Sequence, residues 1–600
     1  MTPDDPSPHD PALVWGDDGF PRSGRYDDVY FSSDDGLAES RAVFLAGCGL
    51  PDAWAGRRHF VVGELGFGTG LNIAALIALW TRTRPPSGRL HIFSIEAHPV
   101  HRDDAARALG RWPDIGAAAS RLLDAWPRRT PGFHRLELAD LGVTLDLAVM
   151  EVETALRQWR GRADAWFLDG FAPAANPGMW RPDVLALVAD RSAPGARVAT
   201  FTVAGAVRRG LAEAGFQVEK RPGFGRKRER LEAWLPGAGA DPGDPPAVAV
   251  IGAGIAGAAL ARAFRVQGVS PLVFDARGPG GGGSGNPAAL VTPRLDAGLA
   301  AHAMFHAQAF ARAEDLYSQH PEAVIARGAL QLETDPRDAG RFDRVAGSGL
   351  FAPGTMARLS AADASARMSE PVPGGLDMPT APVLEPAALL SAWAGEVRRE
   401  TVVDIADRDG RKALLGPGGE TLCVVDVVCI AAGHRSMTFA PELSLQPVRG
   451  QASWTPGAIA QAVSRGGYAI PTRDGVLFGA TFDRDNDDEA VSASDTARNL
   501  ALLGEALPAL AGRLSRGPHG ARAAIRAATR DQSPLAGQVP DAAGLFILAG
   551  LGSRGFCTAP LLAEHVAALI LGLASPLPEA LEALVDPARF RRRARRRGSP

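Results

Sequence analysis

Short, continuous apolar runs recur along the first third of the chain, each followed by a glycine turn or an acidic residue and then by helical periodicity. RHFVVGELGFGTGLNIAALIAL predicts a strand, a tight turn and a helix. RLHIFSIEAHP, TLDLAVMEVETAL and ADAWFLDGFAP predict three further strands, ending near Glu96, Glu151 and Asp169. ARVATFTVAGAVRRGLAEAGF adds strand and helix, and the basic segment GFGRKRER (Gly223 to Arg230) predicts a hairpin tip. Buried strands alternating with amphipathic helices belong to an α/β domain with a parallel sheet. Before this unit, RYDDVYFSSDDGLAESRAVFL predicts an extended arm and a helix.

The periodicity then stops. PGAGADPGDPP (Pro236 to Pro246) has the Pro, Gly and Asp content of a linker. The pattern restarts at once with AVAVIGAGIAGAALARAF, again strand, turn and helix, and continues with VSPLVFDARG, a strand ending at Asp275. A long mixed stretch follows. GALQLETD, GGYAIPTRDGVLFGATF and RAAIRAATRDQSPLAG predict an antiparallel sheet inserted into the second domain. VVDVVCIAAGHRS and GLFILAGLGSRGFCTAPLLAEHVAALILG return to the first pattern. The expected boundaries are 1–235 for the first domain, 236–246 for the linker, 247–590 for the second domain and 591–600 for an arginine-rich tail, expected as a disordered charged end.

Composition narrows the class. At 600 residues the chain is too long for one core. A net charge of -3 excludes a polycation, so any nucleic-acid contact comes from local patches. Cys48, Cys423, Cys429 and Cys557 form no C-x-x-C, which argues against a disulfide framework and against a bound metal. The acidic start, MTPDDPSPHD, is unlike a signal peptide, and no apolar run reaches the ~18–20 residues that span a bilayer. The expectation is a cytoplasmic enzyme with no membrane partner.

Two glycine loops carry the candidate chemistry. Gly252, Gly254 and Gly257 form G-x-G-x-x-G, with Asp275 at the spacing of an acid that binds an adenosine ribose. At this point NAD and FAD are equally good fits. The other loop, Glu64-x-Gly66-x-Gly68-x-Gly70, is led by an acid and suits a cationic nucleoside such as S-adenosylmethionine. Glu96 is expected at its ribose, Glu151 near its base, and Asp169 at the same carboxyl edge of the sheet, where open α/β folds bind ligands.

The strings RYDDVYFS, GELGFGTGLN, AWFLDGFAPAANPGMW, VATFTVAGAVRRGL and KRPGFGRKRE resemble the methyltransferase half of the bifunctional tRNA 5-methylaminomethyl-2-thiouridine biosynthesis proteins. PVRGQ, GATF, RAATRDQSPLAG and GLGSRGFCTAP resemble the oxidase half, in the same order. The loop GPGGGGSGNPAALVTP, with Ser284, Gly285 and Asn286, is similar to one in flavoenzymes of the D-amino acid oxidase and glycine oxidase class, which selects FAD. The turn holding Gly552 and Gly555 is then expected to aim a helix N-terminus at the flavin.

The resemblance implies an α/β chain throughout: a Rossmann-like S-adenosylmethionine methyltransferase domain, then a FAD-binding Rossmann-type domain with an inserted α+β substrate domain. It implies removal of a carboxymethyl group from the C5 aminomethyl substituent of a wobble uridine, in the tRNA anticodon, followed by methylation of the amine that remains. It implies Asp169 as the catalytic residue and Arg526 as the holder of the substrate carboxylate, with Tyr468 nearby and Arg530 as a rival. A glycine- or sarcosine-type oxidase fused to a small-molecule N-methyltransferase is the alternative enzyme. A cofactor-binding scaffold without turnover is the third reading.

Overall fold

The computed structural model describes residues 10–225, 227–239 and 243–598. The chain divides into two compact units: residues up to Gly243 with Ala574–Glu579, and Asp244–Leu573 with the remainder from Ala580. The short return segment joins the first unit because Ala574 is buried in its apolar core, near Trp159, and its carbonyl accepts a hydrogen bond from Arg135.

An eight-stranded sheet organises the first unit. Its strands are β1 (His59–Leu65), β2 (Arg89–Ile95), β3 (Gly132–Leu138), β4 (Val143–Val149), β5 (Ala163–Leu168), β6 (Ser192–Thr200), β7 (Gln217–Pro222) and β8 (Glu229–Trp234). Their order is β7-β8-β6-β5-β1-β2-β4-β3. β6, β5, β1, β2 and β4 run parallel, and the edge strands are antiparallel. β1 and β4 are nearly continuous apolar or buried runs, as strands covered on both faces must be. Chain order reverses between β1 and β5, so the loops after these two strands part there and leave a crevice. Helix α1 (Leu71–Thr83) leaves that crevice from the first glycine loop. The extended arm forms part of a small antiparallel sheet, Leu13–Trp15, Pro21–Ser23 and Asp28–Val29, and the predicted hairpin is β7–β8.

In the second unit, the strand Val248–Ile251 lies between Leu272–Phe274 and Val427–Ile430 in a six-stranded sheet. Leu545–Ala549 pairs parallel beside Val427–Ile430. Helices α2 (Ile255–Val266) and α3 (Gly555–Leu571) follow the two glycine turns. A ten-stranded, largely antiparallel sheet forms the inserted part; the parallel pairing of Val324–Leu332 with Ala462–Arg465 is an exception within it.

The tail departs from expectation. Residues Arg589–Gly598 are helical rather than disordered. Arg589 and Arg593 both pair with Asp531, Arg591 pairs with Asp541, and Arg592 with Asp586. Charge on Arg591, Arg592 and Arg593 that looked free along the sequence is paired with acids brought close in space.

Candidate functional site

Each unit holds a large cavity among its described residues. The first, about 610 Å³, opens at the crevice between β1 and β5 and is lined by Gly66, Gly68, Asn72, Glu96, Glu151 and Asp169, with a wall of Tyr26, Tyr30 and Phe171. The glycine loop fits tightly. Gly66 has φ +90°, and a Cβ there would come within 2.0 Å of the Asp169 carbonyl oxygen. Only glycine lets the two switch-point loops approach this closely. Gly70 is placed differently: it has φ +78°, caps α1, and faces Leu122 and Trp126 rather than the cavity.

The acids also separate by role. Glu96 accepts hydrogen bonds from the Gly68 N–H at 3.0 Å and the His98 N–H at 2.9 Å, so it fastens the glycine loop to the end of β2. Burial raises its pKa. Glu151 is exposed, at the N-cap position of the helix Val152–Gln158. Asp169 accepts a 2.6 Å hydrogen bond from the Asn72 amide. Its pKa is raised to about 7, chiefly by burial, with the Asn72 bond opposing the shift. A carboxyl poised near neutrality is suited to proton transfer.

Glu64 does not meet the expectation of a carboxylate at the ligand. It is fully buried within β1 and is not among the residues lining the cavity. The Ser94 hydroxyl donates to it at 2.5 Å, and burial raises its pKa to about 8. The folded protein therefore holds a proton that the unfolded chain releases between about pH 4.5 and 8, and stability falls as pH rises through that window. Glu64→Gln removes this dependence. In thermal melts at pH 8–9, the first-unit transition is expected at least roughly 3 °C above wild type, with the gap closing toward pH 5.

The second cavity, about 790 Å³, is lined by Gly252, Gly254, Asp275, Ser284, Asn286, Tyr468, Arg526, Gly552 and Gly555 among others. Gly252 has φ +107°, and a Cβ there would lie 2.4 Å from the Ala431 carbonyl oxygen. Gly257 lies on α2, where a Cβ would be 1.8 Å from the Gly252 carbonyl oxygen; it packs helix on strand and does not line the cavity. Asp275 accepts from the N–H groups of Ala253, Arg277 and Gly278, so it sets the shape of the glycine turn while its side chain borders the cavity. The Ser284 hydroxyl accepts from the Ile255 N–H at 3.0 Å, at the start of α2. Asn286 is held by Arg522, which also donates to the carbonyls of Gly280, Gly281 and Gly282. The glycine-rich loop is thus fixed by an arginine more than two hundred residues away in sequence.

Arg526 separates from its rival. It lies on the strand Gly520–Ala528 and lines the cavity, whereas Arg530 lies beyond the strand end and is exposed. The Arg526 guanidinium passes over Gly450, where a Cβ would be 2.4 Å from Nη1. Among the described residues it makes no hydrogen bond or ion pair. Burial raises the pKa of neighbouring Tyr468, and the Arg526 charge opposes that rise.

Sequence reasoning missed the aromatic wall. Tyr26 stacks on Phe171 at 4.9 Å, and Tyr30 meets Phe171 edge-on at 5.3 Å. One signal was available. The chain has only four tyrosines, and Tyr26, Tyr30 and Tyr468 all line cavities.

Comparison with known proteins agrees with this division. Residues 113–236 match the family model for S-adenosyl-L-methionine-dependent methyltransferases, and residues 247–569 match that for FAD dependent oxidoreductases. A protein of Caulobacter sp. (strain K31), named tRNA 5-methylaminomethyl-2-thiouridine biosynthesis bifunctional protein MnmC, is 60% identical over 96% of this chain and 97% of its own. A protein of the same name from Caulobacter vibrioides is 58% identical over 98% of each chain. Among solved structures, the L-proline dehydrogenase from P.horikoshii shares the fold of the second unit. It is 19% identical, with a TM-score of 0.50, over 58% of this chain and 98% of that one.

The two cavities fit the two cofactors. The second offers a glycine cradle that side chains would fill and a helix N-terminus beside it, as a pyrophosphate requires. The first offers a glycine loop among carboxylates, as a cationic nucleoside requires.

Proposed function

The chain belongs to the family of bifunctional proteins of tRNA 5-methylaminomethyl-2-thiouridine biosynthesis, and from that premise we propose that its two cavities act in turn on one wobble uridine. It is an S-adenosylmethionine-dependent methyltransferase and a FAD-dependent oxidoreductase in one polypeptide. The observation that carries the order of events is Arg526, a guanidinium in the oxidoreductase cavity with no hydrogen-bond or ion-pair partner among the described residues. It suits a carboxylate, which the carboxymethylaminomethyl group has and the aminomethyl product lacks.

Bound FAD supplies a two-electron acceptor for the C–H bond beside the substrate amine. Arg526 grips the carboxylate and presents that carbon, while Tyr468 borders the same space. Water then splits the oxidised C–N bond, glyoxylate leaves, and a primary amine remains on the uridine. An alkylamine of this kind has a pKa of about 10, so it arrives protonated. In the first cavity, S-adenosylmethionine supplies an electrophilic methyl group. Asp169 takes the ammonium proton, the nitrogen lone pair forms the new C–N bond, and the C–S bond breaks. Asn72 holds the Asp169 carboxylate in place for this transfer. The cytoplasm is where we place the reaction. Among the described residues no helix is long and apolar enough to cross a membrane, and no cluster of His, Cys, Asp and Glu could hold a metal ion.

The test uses purified protein and tRNA carrying 5-carboxymethylaminomethyl-2-thiouridine. Nucleoside mass analysis is expected to show loss of the carboxymethyl group without S-adenosylmethionine, and gain of one methyl once it is added. Turnover of free glycine or sarcosine with no change in the tRNA would replace this reading with an amino acid oxidase.

A further inference from the structure

Phe482 is 55% exposed, the only exposed Phe, Tyr or Trp among the described residues. It also lines the oxidoreductase cavity. An aromatic ring left in water at the edge of a binding cavity has an apolar face available to a ligand.

The sheet fixes what stands beside that ring. The strand Gln446–Pro456 is flanked by Gly520–Ala528 on one side and Asp483–Arg484 on the other. Val448 lies opposite both Arg526 and Arg484, and Arg449 lies opposite Asp483. The backbone of Gln451 bonds to Thr481, so Phe482 falls alongside Gly450. Gly450 is the residue over which the Arg526 guanidinium passes. One glycine therefore separates the carboxylate-binding group from the exposed ring. Beside the ring, the Arg484 guanidinium lies 5.8 Å from its centroid. The intervening acid, Asp483, is held by Arg498 at 2.9 Å and faces Arg449 at 3.6 Å, so it presents little uncompensated negative charge to an RNA.

We propose that Phe482 is the platform on which the uracil ring of the substrate stacks, while its C5 substituent extends past Gly450 to Arg526. The assignment rests on the tRNA reading above and deepens it. Free glycine or sarcosine carries no aromatic ring and needs no such platform. A nucleobase does, and single-stranded RNA is commonly held by stacking on aromatic side chains. The ring and the guanidinium together measure the substrate: one takes the base, the other the carboxylate at the end of a short flexible chain. Arg484 adds a cation at the edge of the stack.

The test follows anaerobic flavin reduction by tRNA bearing the carboxymethylaminomethyl uridine, in holoenzyme carrying Phe482→Ala, Phe482→Leu or Phe482→Trp. The exposed position leaves folding and flavin content at wild-type levels. Ala and Leu are expected to raise the half-saturating tRNA concentration about ten- to hundredfold, with the limiting reduction rate changed less than about threefold. Trp is expected to stay within about threefold of wild type. Wild-type saturation in the Ala variant, or in the Leu variant, which keeps apolar bulk without a π face, overturns the proposal. If wild-type protein leaves its flavin oxidised with this tRNA, the tRNA reading falls, and the stacking site with it. If wild type reacts and the variants match it, the stacking site alone falls.

Discussion

Replacing Asp169 with Asn is expected to lower methyl transfer to aminomethyl-tRNA by about 10²–10⁴-fold while S-adenosylmethionine affinity stays within about threefold. The separation follows from the geometry. Asp169 shares its cavity with the glycine loop, but the loop is fastened to β2 through Glu96 and does not depend on the Asp169 side chain. Asn keeps the size of the side chain and loses its ability to take a proton. The pH profile supplies the sharper readout. Burial raises the Asp169 pKa to about 7, and only the ionised form is a base. Wild-type kcat/KM is therefore expected to climb with pH and flatten above about pH 7, and the Asn variant lacks that limb. Single-turnover methylation from pH 5.5 to 9, with calorimetric titration of the cofactor, measures both. An unchanged limb in the variant would assign the titration to another group.

Arg526→Ala is the second large effect, on the other reaction. Oxidation of carboxymethylaminomethyl-tRNA is expected to lose about 10²–10³-fold in kcat/KM, because a charge-assisted, two-point grip on a carboxylate is removed and that carboxylate is left without a partner. Methylation of tRNA already carrying the primary amine is expected at the wild-type rate. Flavin content is also expected to hold, since the glycine cradle is shaped by Asp275, Ser284 and Arg522. Arg526→Lys restores only part of the activity, because an ammonium cannot reproduce the planar fork. Arg530→Ala, at an exposed position beyond the strand end, is expected within about twofold of wild type. Equal losses at Arg526 and Arg530 would remove the carboxylate role from Arg526.

The fold was largely legible before any coordinate. Runs such as RHFVVGELGFGTG and AVAVIGAGIAG announce themselves because a buried strand must be apolar, a tight turn must be glycine and the following helix must be periodic. These are constraints between near neighbours in the chain. Glu96, Glu151 and Asp169 were legible for a related reason, since each ends a strand or opens the segment after it, at one edge of one sheet.

Glu64 shows where this reasoning stops. It leads the glycine loop in sequence, yet it is buried in β1 against Ser94, its nearest donor across the sheet, rather than lining the cavity. Its neighbour along the chain is the loop; in space it meets Ser94 on another strand and also interacts with Asn72 and Asp169. The tail fails in the same way, because Asp541, Asp586 and Asp531 pair with Arg591, Arg592 and Arg593.

By itself, then, the sequence determined two α/β units, two glycine loops and the acids at the strand ends, since each follows from local periodicity and turn chemistry. Only the tertiary structure decided the rest. It separated Arg526 from Arg530, bound the glycine-rich loop to Arg522, gathered Tyr26, Tyr30 and Phe171 into one wall, and set Phe482 one glycine away from Arg526. The physical reason is that burial and pairing belong to positions in space. A guanidinium is open to a ligand carboxylate only where no acid of its own chain reaches it, and that is settled when distant strands are brought into register.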